Sequence, residues 1–141
     1  MNIKVEKTGT FEVLGRRVTH TLQEIIVDQT EYVRKIQPVF IPTVRRKAKD
    51  SPLTRPELTQ YQSLVQQLAW PARTTMPGLN YLVSDLQQKA SGVRGEDLIR
   101  ANFASKVAQQ MSRDGASLRF RKFPSGIKDV MVVVAHDASF A

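Results

Sequence analysis

The 141-residue chain has no cysteine, which excludes disulfide frameworks and thiolate metal sites. It has two histidines, His20 and His136, so a histidine-based zinc site would need carboxylates to complete it. No segment approaches the ~18 apolar residues of a membrane-spanning helix. The opening residues MNIKVEKTG carry no apolar signal core, and an intracellular location is the expectation. Glycine-rich phosphate loops are missing, since Gly92 and Gly95 match neither a Walker nor a dinucleotide pattern. A Ser139–His136–Asp137 triad is disfavoured because neighbours on a strand point to opposite faces. No small-molecule substrate or cofactor is expected.

Acidic residues are the scarce charge: 13 Asp and Glu stand against 21 Lys and Arg, a net charge of +8. That balance favours an anionic partner, with nucleic acid ahead of an acidic protein. Apolar residues at 41% and charged residues at 24% otherwise describe an ordinary globular chain.

The clearest local signals lie between residues 52 and 88. Thr54 and Glu57 form a T-x-x-E capping box with Pro56 in the first turn. Leu58, Tyr61, Leu64, Val65, Leu68 and Ala72 then recur at the spacing of one helix face. Pro71 is expected to end or kink this helix. Thr74 or Thr75 would cap a second helix, with Pro77 in its opening turn and Leu79, Leu82, Val83 and Leu86 as its stripe. Together they predict a helical hairpin.

Upstream, residues 2–27 have strand character. Ile3 and Val5 alternate with charged residues, and Thr8-Gly9-Thr10 signals a turn. Phe11, Val13 and Val18 follow around a bend at Gly15, Thr19 to Glu24 turns the chain, and Ile25, Ile26 and Val27 return. Asp28 and Glu31 offer a helix start that Pro38 stops. The segment 38–53, with its prolines and the cluster Arg45, Arg46, Lys47 and Lys49, reads as an extended linker with a basic end. Downstream, residues 94–115 predict a third helix, with Glu96 and Asp97 at its positive end and Gly115 at its close. Ile99, Phe103, Val107 and Met111 recur every fourth residue, with Ala104 and Ala108 allowing close approach, and core packing is their expected role. From Ser117 the period becomes two: Leu118, Phe120 and Phe123 alternate with Arg119, Arg121 and Lys122. A continuous apolar strand around Val130 to Val134 ends the chain.

The order of these features resembles the copia-type retrotransposon Pol polyprotein. In that family a Tyr-Arg-Ser-Leu-Val-Gly run leads through a Leu-x-Tyr or Leu-x-Trp and a Thr-Arg-Pro-Asp into an Ala-Val-x-x-Leu helix. Tyr61, Ser63, Leu64, Val65, Leu68, Trp70, Thr75, Pro77, Val83 and Leu86 match; Gln62, Gln66, Met76 and Gly78 depart from it. Phe11, Gly15, Ile25, Gln29, Tyr32 and Val33 are similar to the hairpin that ends the family's palm. Asp137, Ala138, Ser139, Phe140 and Ala141 look like the end of the first ribonuclease H strand.

These elements predict an α+β chain: an N-terminal β-hairpin, a helical hairpin plus a third helix, and a C-terminal two-stranded segment that resembles the start of ribonuclease H. Its expected divisions are 1–37, palm-end-like; 38–53, linker; 54–115, thumb- or connection-like helices; and 116–141, truncated ribonuclease H-like strands. The family polymerises through carboxylates around a Tyr-x-Asp-Asp turn, with magnesium, and no Asp-Asp pair occurs here. Asp137 would be one vestigial ribonuclease H carboxylate, with its companions expected beyond Ala141, and one carboxylate cannot hold a metal pair. The expected function is therefore non-catalytic binding of an RNA–DNA or duplex backbone. Arg45, Arg46, Lys47 and Lys49 would contact phosphates, with Arg119 and Arg121 secondary. Trp70 and Tyr61 could stack on bases, but their spacing favours core packing. The alternative is a domesticated structural or docking subunit of a host protein assembly.

Overall fold

A computed structural model of the protein describes residues 8–89 and 92–122. The expectations for Ile3, Val5, Phe123, the Val130 to Val134 strand and the Asp137 motif lie outside those residues. The fold is α+β. Strands β1 (Gly9–Val13), β2 (Arg16–His20) and β3 (Glu24–Asp28) form an antiparallel meander, and β4 (Leu118–Arg121) returns from the far end of the chain to pair with β3. Between them run helices α1 (Thr30–Lys35), α2 (Thr43–Lys47), α3 (Arg55–Thr74), a 3-10 turn at Pro77–Leu79, α4 (Asn80–Gln88) and α5 (Gly95–Arg113).

The first hairpin turns tighter than the composition suggests. Val13 pairs with Arg16, leaving the two-residue turn Leu14-Gly15, and both turn residues have positive φ, 50° and 70°. Those signs suit a primed turn, whose twist matches the flanking strands. Thr10 lies within β1, and Thr19 and His20 lie within β2 rather than in a turn. The chain reverses instead at residues 21–23, where the Thr21 hydroxyl accepts from the Gln23 and Glu24 amides.

The helical hairpin forms as the punctuation demands at its start and differently in its middle. The Thr54 amide donates to the Glu57 carboxylate at 2.8 Å, completing the predicted link at the N-terminus of α3. Tyr61, Leu64, Val65, Leu68 and Ala72 are buried together. Pro71, however, does not end α3, which continues one turn to Thr74. Proline brings no amide to the Gln67 carbonyl, and the Tyr32 hydroxyl donates to that carbonyl instead, at 3.2 Å. Neither Thr74 nor Thr75 caps the second helix; Thr75 is instead the C-cap of α3. Both hydroxyls bond the buried Gln29 side-chain oxygen, Thr75 at 2.8 Å, and so tie α3 to the start of α1. The second helix opens at Pro77 in a 3-10 turn.

The third helix departs most from its reading. Its buried stripe is Leu98 followed by Ala101, Ala104, Ser105, Ala108 and Ser112, small residues that let α5 pack on α1, α3 and α4. Ile99 and Phe103 face outward, and Val107 and Met111 are half-buried against the core. A strict four-residue repeat advances about 40° per step around a helix of 3.6 residues per turn. The alternating three-four spacing of the small residues stays on one side. The apolar core, from Val33 and Ile36 through Leu68, Leu79 and Leu86 to Leu98, belongs to the helices and their connections; among the described residues no strand residue joins it.

Candidate nucleic-acid interface

The segment expected to be an extended linker is instead folded and pinned. Thr43–Lys47 forms α2, and the residues after it lie along the start of α5. The Glu96 amide donates to the Lys49 carbonyl at 2.8 Å and the Gly95 amide to the Ser51 carbonyl at 3.1 Å. These carbonyls meet amides that a helix leaves unpaired in its first turn. A Cβ on Gly95 would stand 3.0 Å from the Lys49 oxygen, so the close approach depends on glycine. Pro52 bridges to Arg94, and Leu53 donates to the Val93 carbonyl at 3.0 Å.

On this scaffold the four predicted phosphate contacts separate. Arg45 turns inward, with its side chain 14% exposed, and donates to the Pro52 carbonyl at 2.6 Å. Its Nε lies 3.0 Å from Glu57, but the N–H is not aimed at the carboxylate, so the contact is an ion pair without a hydrogen bond. The Thr54 amide above all, with the Thr54 hydroxyl and Arg45 adding to it, holds the Glu57 carboxyl below its ordinary value against the opposing effect of burial. Arg45 is thus structural, which corrects its assignment as a phosphate contact. Arg46, Lys47 and Lys49 are exposed, and none enters the ion pairs formed among the described residues.

The secondary pair stands on β4. Arg119 lies 3.6 Å from Glu24, and Arg121 sits opposite Glu24 in the sheet register. Their face also carries the Arg17–Asp28 pair at 2.9 Å. Burial alone would raise the Asp28 carboxyl, yet Arg17 and Thr30 hold it below its ordinary value. That face is of mixed charge, unlike the exposed edge of α2.

Neither Tyr61 nor Trp70 is open for stacking. Tyr61 is buried, its hydroxyl donates to the Leu86 carbonyl at 2.7 Å, and burial pushes its pKa up to about 12. Arg16 covers the Trp70 ring at 4.5 Å from its centre. Exposed aromatics lie elsewhere: Tyr81 on α4, Phe11 and Phe120 in the sheet, and two phenylalanines beside α2. Phe40, between α1 and α2, and Phe103, on α5, line one groove of about 590 Å³ with Val39, Ile99, Arg46 and Lys106. Sequence reading missed Phe40, although Val39 and Ile41 alternate with it as inward residues would. It placed Phe103 in the core, and Lys106 was not singled out.

Among the described residues no three His, Cys, Asp or Glu side chains gather as a metal site would need, and no helix is long and apolar enough to cross a membrane. No family model, curated protein or solved structure matches the chain.

Proposed function

We propose that the chain binds nucleic acid as a non-catalytic relative of the copia-type Pol polyprotein, gripping the phosphate backbone through Arg46, Lys47 and Lys49. One observation carries the reading. These three cations stand exposed on a segment pinned to α5, with no carboxylate paired to them among the described residues. Cations that need not release a protein partner are ready to displace counterions from phosphate. The chain's surplus of eight positive charges acts in the same direction at longer range. Contacts of this kind add affinity and register without choosing a sequence.

The test is binding to a primed RNA–DNA hybrid across a salt series, read by fluorescence anisotropy. Affinity should fall steeply with salt, and replacing Arg46, Lys47 and Lys49 by alanine should flatten the slope by about one per residue. The loss should be the same for hybrids of different sequence. An unchanged affinity in the triple variant would refute the assignment, and no binding at low salt would end the reading altogether.

A host docking subunit is the second reading, favoured by the sheet's apolar face. Phe11, Val13, Ile25 and Phe120 share that side through the strand register and are exposed. Capture of a stoichiometric protein partner that is lost in Phe11→Ser and Phe120→Ser variants would support it.

A further inference from the structure

The groove between α5 and the segment Pro38–Ile41 is an exposed apolar feature beside the basic helix α2. Phe40 is 85% exposed and Phe103 59%, with Ile99 adjoining them. Large apolar patches on a folded chain mark contact surfaces. Two cations, Arg46 and Lys106, line this groove, and no acidic side chain does.

Phe40 is presented by design of the backbone rather than by looseness. The Asn102 side chain on α5 clamps Val39 in both directions: its oxygen accepts from the Val39 amide at 2.8 Å, and its amide donates to the Val39 carbonyl at 2.7 Å. Two turns further along, the Gln109 side-chain amide donates to the Ile36 carbonyl at 2.9 Å. Ile36 and Ile41 are buried on either side. Pro38 and Pro42 restrict the backbone at both ends. With its neighbours held inward, the backbone directs Phe40 toward solvent before any ligand arrives. Such preorganisation lowers the cost of binding.

We infer that this groove stacks unpaired bases of a single-stranded nucleic acid on Phe40 and Phe103, with Arg46 and Lys106 on the adjoining phosphates. The inference rests on the nucleic-acid reading above and goes further, because a duplex cannot supply the ligand: its bases are already stacked on one another. Only a single strand offers free base faces to aromatic rings. Every base has such a face, so the site tolerates any sequence. An acidic protein would meet the cations but has no comparable use for two open phenylalanine rings, and an apolar partner would leave both cations unpaired at the contact.

Three ligands test it on the full chain: a short oligothymidylate, an abasic strand of the same length, and a blunt duplex. The oligothymidylate should bind tightest. Phe40→Ala and Phe103→Ala should each weaken it by roughly 5- to 150-fold while leaving the duplex and the abasic strand unchanged. Phe40→Trp should retain the affinity, whereas Phe40→Leu, apolar but without a ring, should not. Both positions are exposed, so thermal unfolding of the variants should match the parent chain. Equal affinity for the oligothymidylate and the abasic strand, or no loss in the alanine variants, would overturn stacking while the phosphate reading stands. Failure of all three ligands to bind would overturn both.

Discussion

Arg45 donates its guanidinium to the Pro52 carbonyl and pairs with Glu57, whereas Arg46, the next residue of the same helix, opens onto the groove with Phe103 and Lys106. Two arginines that look alike in the sequence should therefore fail in different assays. Arg45→Ala should lower stability by about 1–2 kcal/mol in urea melts, through a lost charged hydrogen bond. It should leave nucleic-acid affinity per folded molecule nearly unchanged, and the triple alanine variant of Arg46, Lys47 and Lys49 should do the reverse. Glu57 and Asp28 add a pH dependence. Both carboxyls are held below their ordinary values in the folded chain. Their contribution is complete above the unfolded values, roughly 4, and is lost as pH falls through the lower folded values. Urea midpoints should therefore decline on the acid side, and less so in Glu57→Gln and Asp28→Asn. A decline of equal size in those variants would show that other groups control it.

Among the elements, α3 and the sheet's first turn each break a local rule and compensate for it. Pro71 deprives the Gln67 carbonyl of its helical donor, and the Tyr32 hydroxyl from α1 replaces it. Removing that hydroxyl should cost about 1 kcal/mol. In the Pro71→Ala background, where an amide is again available within the helix, Tyr32→Phe should cost appreciably less, and a double-mutant cycle measures the coupling. Equal costs in both backgrounds would mean that the hydroxyl does not stand in for the amide. The helix end was misread because the rule for proline considers the chain locally, and the substitute donor arrives from a residue 35 positions away. The turn at Leu14-Gly15 was half legible. Gly15 signals it, but leucine at φ 50° carries no such signal, and the strand register decides that it must adopt that conformation.

For the molecule as a whole, the core and the sheet are unequal partners. The buried cluster is built from helices and connections, while β1 is exposed along its length and the sheet meets the helices through specific contacts such as Arg16 over the Trp70 ring. Stability in such a molecule is not uniform. Native-state hydrogen exchange should find the β1 and β2 amides opening at lower free energy than those of α3 and α5. Equal protection throughout would show that the sheet and the helical core open as one unit. The return of β4 to β3 adds a long-range strand pairing, between residues 24–27 and 118–121. No local pattern announces it, because periodicity shows that a segment is a strand and not which edge it joins.

The residue order was enough to set the α+β class, the helix start at Thr54, the stripe from Tyr61 to Ala72 and the excess of positive charge, since caps, periodicity and charge act over a few residues. Packing assigned the rest: the inward turn of Arg45, the outward turn of Phe103, and the joining of both ends in one sheet. These depend on which face of an element meets another. In α5 two stripes competed for that contact, and the small side chains won it because they let the helices approach closely, leaving the phenylalanine to the solvent.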